Sequence, residues 1–144
     1  AILVAAHHAA VGALSGDRYT RAEREAWMSV VTEETMREGL TASETTSFVA
    51  ETEAAVVGFS TLHEREVRAV YVRPEVQERG IGTALLEAVE ETAVAREIQT
   101  LTVSALLNAV GFYERHGYRP VGKGAMDVGE REIRCVRMEK NVSI

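Results

Sequence analysis

Apolar residues form helix-like stretches in the N-terminal part of the chain and strand-like runs after it. The first stretch is rich in Ala and Leu and ends at Ser15-Gly16-Asp17, where small polar residues favour a helix end. The next begins at Thr20, which forms a capping-box pattern with Glu23. The predicted helices cover Ala1 to about Leu14, Arg21 to about Val31, and Glu33 to Gly39.

Short runs rich in β-branched residues follow and predict strands. Thr52-Glu53-Ala54 separates the first two runs and is a hairpin signal. Pro74 ends the third run, because proline cannot continue a ladder of hydrogen bonds. The predicted strands are Ser47–Glu51, Ala55–Leu62, Glu66–Val72, Thr100–Ser104, Tyr118–Val121 and Glu132–Met138.

Two further helices are predicted between the later strands. The longer runs from about Gly80 to Arg96, and the shorter from Ala109 to His116, closed by Gly117. The longer helix carries an apolar stripe of residues four apart: Ile81, Leu85, Val89 and Ala93. This order of elements predicts an α/β (α+β) fold, with a mixed sheet and helices on its faces.

Size and composition indicate one ordinary globular domain. The chain has 144 residues, of which 46% are hydrophobic and 26% charged, and we expect a single domain over residues 1–144. The formal net charge of -6 disfavours a nucleic-acid partner. No apolar run reaches the roughly 18 residues that predict a membrane span. The apolar opening at Ala1 lacks a basic region and is interpreted as a helix, not a signal peptide.

Cysteine usage excludes two kinds of stabilising site. Cys135 is the only cysteine, so the chain can form neither an intrachain disulfide nor a cysteine-based zinc cluster. A reducing cytoplasm is the simplest compartment for such a chain. We expect Cys135 to be buried packing and not a nucleophile, and we expect no metal.

One segment combines a strand end, a polar loop and a helix that begins with two glycines. It runs from Val72 to Leu86, with Gly80 and Gly82 at the helix start. The first turn of a helix has amide groups without internal partners, and the macrodipole makes that end partly positive. A phosphate or pyrophosphate site is therefore predicted around Arg79 to Thr83, unless the glycines serve only close helix–sheet packing. The segment matches neither a P-loop nor the three-glycine dinucleotide fingerprint.

A second block, Ala109 to Tyr118, follows the next predicted strand and reads Ala-Val-Gly-Phe-Tyr-Glu-Arg-His-Gly-Tyr. With Gln77-x-x-Gly80-x-Gly82 it resembles the acyl-CoA signature of the GNAT acetyltransferase superfamily. The resemblance covers roughly Phe48 to Lys140, and the N-terminal helices are similar to helices one and two of that family, whose preceding strand would be missing here. It implies a mixed, mostly antiparallel sheet with helices on both faces. It also implies an enzyme that moves acetyl from acetyl-CoA to an amine by direct attack in a ternary complex.

The resemblance further implies where acetyl-CoA would bind. In that family the pantetheine arm lies between two separating strands, which here would be Glu66–Val72 and Thr100–Ser104. A backbone amide of the first strand would polarise the thioester carbonyl. Leu106 stands where many relatives carry Asn or Ser, so Asn108 is the expected substitute. The implied cofactor-binding residues are Val70, Tyr71, Val72, Gln77, Glu78, Arg79, Gly80, Ile81, Gly82, Thr83, Asn108, Phe112 and Tyr113.

Acetyl transfer to an amine needs an acid and a base. Tyr113 matches the general acid of the family and would protonate the leaving thiolate. Glu66 and Glu64 are alternative bases, and His63 and His7-His8 are further candidates. Strand alternation predicts a shared face for Glu66, Arg68, Val70 and Val72, which Glu64 would join if the strand starts early.

The sequence leaves the acceptor amine open among small amines, amino-acid derivatives, antibiotics and protein N-termini. Its specificity is expected from Tyr19, Trp27, the loop region 33–45 and the connection 123–131. Two other functions stay open: a non-catalytic acyl-CoA-binding or sensing domain, and a mononucleotide-binding protein. Homodimers are common in the family, and no residue pattern in this chain tests that state.

Overall fold

The computed structural model describes residues 20–41, 44–52, 55–76, 80–128 and 131–142. The helix predicted over residues 1–14 lies outside this part of the chain. The four described helices are α1 (Arg21–Val30), α2 (Glu33–Thr41), α3 (Ile81–Ala95) and α4 (Val110–Arg115). The strands are β1 (Thr45–Thr52), β2 (Ala55–His63), β3 (Glu66–Val72), β4 (Thr100–Leu106), β5 (Arg119–Val128) and β6 (Arg131–Asn141).

The start of α1 is the predicted capping box. The Glu23 amide donates to the Thr20 hydroxyl at 3.0 Å, and the Thr20 amide donates to the Glu23 carboxylate at 2.8 Å. Both bonds use amide groups that the helix itself leaves without a partner, which fixes where α1 begins.

The six strands form one sheet in the order β1-β2-β3-β4-β6-β5. Every neighbouring pair is antiparallel except β3 and β4, which are parallel and are connected through α3. This arrangement confirms the predicted mixed, mostly antiparallel sheet.

The last hairpin is longer than predicted. β5 was expected to cover Tyr118–Val121, but it runs from Arg119 to Val128 and pairs along its length with β6. Gly122 and Gly124 interrupt the β-rich pattern that marks a strand in sequence, yet Gly124 lies directly opposite Cys135 in the ladder. The pairing with β6 overrides the weak local preference.

The main core lies between α3 and the sheet. The predicted stripe of α3 is largely confirmed, because Leu85, Val89 and Ala93 are buried, and Leu86 joins them. They pack on the strands together with Leu62, Val67, Leu101, Val103 and Met138. A smaller cluster around Ile133 lies on the opposite face, where α1 contacts β6. Helices therefore cover both faces, as expected.

Among the described residues, no helix combines the length and the apolar character needed to cross a bilayer.

Candidate active site

The start of α3 is built around a glycine in a left-handed conformation. Gly80 is the N-cap of α3 and has a φ of 78°, a backbone angle that costs other residues free energy. A Cβ added there would meet nothing within 4 Å, so the angle and not crowding requires glycine. Within the described residues no side chain caps this helix start. Its first amide groups, at Ile81, Gly82 and Thr83, therefore face outward without a side-chain acceptor.

Gly82 serves a different purpose, which is close packing. A Cβ at Gly82 would lie 3.3 Å from Cε1 of Phe112 and 3.8 Å from Cγ2 of Val72. The Phe112 ring of α4 thus rests on the first turn of α3 beside the end of β3. Close packing therefore explains the glycine at position 82, whereas the positive φ explains the glycine at position 80.

The two central strands pair only briefly. The register between β3 and β4 contains two pairs, Glu66 with Thr102 and Val67 with Val103. Both strands are described in full, and beyond these pairs the ladder between them stops. The separation produces a gap in the sheet on the side where β3 leads toward α3.

The gap side of β3 carries the amide groups of Val70 and Val72. The Arg73 amide donates to the Val57 carbonyl of β2 at 2.8 Å. Since N–H groups alternate between the two sides of a strand, the amides of Val70 and Val72 point away from β2 and toward β4.

A bulge at Arg68 changes which residues share a face of β3. Leu62 of β2 pairs with Val67, but its neighbour Thr61 pairs with Ala69, so Arg68 is an extra residue without a partner in β2. The side chains of Val67 and Ala69 consequently point to opposite faces of the sheet.

The prediction that Glu66, Arg68, Val70 and Val72 share one face is therefore wrong. The observed register puts Glu66 on the face of Ala69 and Tyr71, opposite Val67, Val70 and Val72. Packing agrees, because Val67 and Val70 lie in the core under α3. Tyr71 instead packs with Phe59, at 5.4 Å between ring centroids, and with the Ile133 cluster on the α1 face.

The two candidate carboxylates occupy different settings. Glu66 is half-buried at the start of β3, where its Oε1 accepts a hydrogen bond from Nε of Arg68 at 2.8 Å. Its second carboxylate oxygen has no hydrogen-bond partner within the described ranges. Glu64 lies in the turn before β3 with a φ of 54°, and its side chain is exposed. The strand does not start early enough to carry Glu64 onto the face of Glu66.

His63, a further candidate, lies directly opposite Glu66 in the β2–β3 ladder. Its Nδ1 is 2.8 Å from the Thr45 hydroxyl on β1. This contact fixes the ring on the same face of the sheet as Glu66.

Tyr113 is enclosed by other rings. Its side chain is 5% exposed and meets Phe112 and Tyr118 edge-on, with centroids 5.2 and 5.4 Å away. Burial raises the pKa of the Tyr113 phenol well above its ordinary value of 10.0, because an ionised oxygen would lose hydration there. The phenol is protonated at neutral pH even without this shift, so it has a proton to donate, and burial holds that proton more tightly.

Sequence reasoning missed His116, which the structure brings to the start of α3. Its Nε2 lies 3.0 Å from the Thr83 hydroxyl, and its Nδ1 lies 2.7 Å from the Phe112 carbonyl. The signal in the sequence was its place in the Ala109–Tyr118 block, where it reads as an ordinary helix end.

Other predicted residues are placed apart or are not described. Asn108 is exposed in a short 3-10 turn that follows Leu106 at the end of β4. Tyr19, Gln77, Glu78 and Arg79 lie outside the described residues. Cys135 is buried in β6, as predicted.

Comparisons with known proteins identify the same fold. Residues 15–142 match the family described as Acetyltransferase (GNAT) domain. YafP of Escherichia coli (strain K12), described as an uncharacterized N-acetyltransferase, is 30% identical over 112 residues, which cover 78% of this chain and 69% of YafP. YdhI of Bacillus subtilis (strain 168), an uncharacterized protein, is 32% identical over 62 residues. Those residues cover 41% of this chain and 39% of YdhI.

Two solved structures match the fold of this chain over nearly its whole length. A GCN5-related N-acetyltransferase from Rhodopseudomonas palustris has a TM-score of 0.89 and 28% identity, covering 97% of this chain and 88% of that one. The PaiA N-acetyltransferase of Thermoplasma acidophilum, crystallised in complex with coenzyme A, has a TM-score of 0.77 and 17% identity. It covers 96% of this chain and 89% of that one.

Proposed function

This chain belongs to the GNAT acetyltransferase family, and we propose that it transfers acetyl from acetyl-CoA to an amine by direct attack in a ternary complex. The observation that carries the proposal is the gap between β3 and β4 beside the glycine start of α3. A gap in a sheet gives two reactants access to one point from opposite faces.

The residues present fit an acyl-CoA. The first turn of α3 offers amide groups to a pyrophosphate, and Gly80 lets the chain turn without a side chain over that spot. The Val70 amide faces the gap, where it would hold a pantetheine arm or polarise a carbonyl, and Val72 lies next to it at the end of β3. We include Gln77, Glu78 and Arg79 among the proposed acetyl-CoA-binding residues. Tyr71 and Asn108 stay in the proposal as more peripheral members. When bound, acetyl-CoA supplies the acetyl group already activated as a thioester.

The acid and the base would act from opposite faces of the sheet. Tyr113 packs in the core on the α3 side, together with Leu86 and Val89. Glu66 lies on the α1 side by the register of β3. Glu66 would take the proton of the incoming amine, directly or through water, and Tyr113 would give its phenol proton to the departing sulfur.

The apolar face near the gap indicates where the amine would lie. Tyr71, Leu106 and Ile133 line the α1 side of the sheet, together with Met28 and Val31. An amine entering there would approach the gap over an apolar surface and meet the carboxylate of Glu66.

A thermal-shift titration with acetyl-CoA, with ATP and NAD as controls, tests the cofactor. A ligand that binds only the folded state stabilises it by about 2.7 kcal/mol at a hundredfold excess over Kd. We expect a rise in Tm with acetyl-CoA alone. No shift at millimolar acetyl-CoA would contradict the proposal, and a shift with ATP or NAD alone would favour a nucleotide-binding protein.

Screening amines for release of free CoA thiol tests turnover. We expect at least one amine to be acetylated, with turnover lowered roughly 10²-fold in Tyr113→Phe. If acetyl-CoA binds but no amine of a broad library is acetylated, the chain is an acyl-CoA-binding domain and not the enzyme proposed.

A further inference from the structure

His116 connects the two segments that hold the proposed cofactor site. It follows the last residue of α4, and its half-buried ring reaches the first turn of α3. The ring also lies against Phe112, with centroids 4.6 Å apart. Two hydrogen bonds and one ring contact fix its orientation, so the imidazole is held in place from three sides.

The partners of the ring determine where its protons lie. The Phe112 carbonyl can only accept a hydrogen bond, so Nδ1 of His116 carries the proton and donates to it. In the neutral ring Nε2 must then be an acceptor, and the Thr83 hydroxyl must donate its proton to it at 3.0 Å. In that state the hydroxyl of Thr83 has no proton left for another acceptor.

A phosphate oxygen at the start of α3 would need that proton. Unprotonated phosphate oxygens only accept hydrogen bonds, so a neutral His116 and a phosphate compete for the one hydroxyl proton of Thr83. A protonated His116 would donate from Nε2 to the Thr83 oxygen, and the hydroxyl could then turn its proton to the phosphate.

We infer that His116 is a positioning residue of the cofactor site, which takes up a proton as the pyrophosphate binds and so directs the Thr83 hydroxyl to it. The inference rests on the proposed function, because it takes the first turn of α3 as the pyrophosphate site. It adds a residue and a proton to that site.

The charged groups near His116 do not neutralise it in the part of the chain that the structure describes. On α3 the nearest acidic residues along the helix are Glu87, which is exposed, and Glu90, which bonds Lys140 of β6 at 3.0 Å. The Lys140 side chain passes close to Gly117, where an added Cβ would lie 3.3 Å from its Cε. Arg115 and Glu114 of α4 are exposed. No carboxylate of the described part of the chain forms an ion pair with His116, so a bound phosphate would supply the negative charge that favours the imidazolium.

Calorimetric titration with dephospho-CoA tests the inference without relying on turnover. This ligand keeps the pyrophosphate but lacks the phosphate monoester, which would itself titrate near pH 6. Titrations at pH 7.5 in two buffers of different ionisation enthalpy count the protons taken up. We expect uptake of a fraction of a proton by the wild type and none by His116→Gln, whose amide can reach Thr83 but does not titrate.

Four further variants separate positioning from general packing. His116→Asn keeps a donor for Phe112 but cannot reach Thr83, and we expect it to weaken binding about tenfold. Thr83→Val should weaken binding by the same factor. The double variant, His116→Asn with Thr83→Val, should weaken it no further, because each single change already removes the one interaction that the two residues share. Thr83→Ser and His116→Gln should stay within about threefold of the wild type.

Two results would overturn the inference: equal proton uptake by wild type and His116→Gln, or unchanged affinity in His116→Asn. If His116→Asn fails to fold, the proton count and the pair Thr83→Val and Thr83→Ser still decide it. Failure of the wild type to bind dephospho-CoA or acetyl-CoA would instead remove the proposed function itself.

Discussion

At the scale of a single side chain, Tyr113 is the clearest test of the proposed acid. Its ring is packed on two sides by aromatic neighbours, and the part of the chain described provides no hydrogen-bond partner for its hydroxyl. Removing the hydroxyl therefore breaks no bond there. We predict that Tyr113→Phe lowers kcat roughly 10²-fold, since a proton donor is lost. Steady-state kinetics measure this, and calorimetry should show an unchanged Kd for CoA. Unaltered turnover would exclude Tyr113 as the acid.

Glu66 and Glu64 form a matched pair for locating the base. Glu66 lies on the sheet, in the short paired stretch of β3 and β4 before the gap opens, whereas Glu64 lies in an exposed turn. We predict that Glu66→Gln lowers kcat/KM about 10²-fold at pH 7, while Glu64→Gln stays within twofold. Initial rates with saturating acetyl-CoA give both values. A large loss in Glu64→Gln with none in Glu66→Gln would reverse the assignment, and His63 would follow if both variants stay active.

Sequence reasoning reached some of these residues and not others for a physical reason. Tyr113 and the Gly80–Gly82 pair belong to contiguous motifs, so their order along the chain carries the information. His116 acquires its part only through Thr83, 33 residues away in sequence. A contact of that kind depends on how α3 and α4 pack, which local pattern does not determine.

The elements themselves were largely predictable, because the capping box, the α3 stripe and Pro74 mark their bounds. The bulge at Arg68 was not, since it depends on pairing between β2 and β3 and no local residue signals it. Its omission moved Glu66 to the wrong face in the sequence prediction. A single inserted residue reverses every side chain beyond it, so face predictions fail where register shifts.

Helix α3 is tied to the last strand through Glu90. The carboxylate accepts from the Tyr118 hydroxyl at 2.9 Å and from Lys140 Nζ at 3.0 Å, and both partners are largely buried. We predict that Glu90→Ala lowers the free energy of unfolding by about 1–3 kcal/mol, because two donors lose their acceptor. Urea denaturation measures the change. The exposed Glu87 on the same helix is the control, and Glu87→Ala should change stability by less than about 0.5 kcal/mol.

At the scale of the whole molecule, two buried tyrosines set the response to alkaline pH. Burial raises the pKa of both Tyr113 and Tyr118 above 10.0, and the neighbouring Glu90 carboxylate adds to the effect at Tyr118. The folded protein therefore holds both phenol protons at a pH where the unfolded chain releases them. Stability should be constant with respect to these groups below pH 10 and fall above it.

The expected slope is about 0.7 kcal/mol per pH unit for each tyrosine at pH 10, where half of the unfolded chains have lost the proton, and it approaches about 1.4 kcal/mol at higher pH. Denaturant titrations between pH 9 and 11 would measure this slope. Tyr113→Phe and Tyr118→Phe should each lower it by the contribution of one tyrosine. A slope that both variants leave intact would mean that the phenols ionise equally in the folded and unfolded chain.

The brief pairing of β3 with β4 also divides the molecule into two parts. On one side β1, β2 and β3 form a complete antiparallel ladder with α3 packed on it, and on the other β4, β6 and β5 form a second ladder. Within the sheet two register pairs connect the ladders, while the shared core under α3, the Glu90 contacts and the His116–Thr83 contact link them from one face. Ladders joined by so few backbone hydrogen bonds can open as separate cooperative units. A ligand that spans the gap would contact both ladders and couple their opening. Amide hydrogens of the two ladders should then exchange with solvent together when the ligand is bound, and in two stages without it.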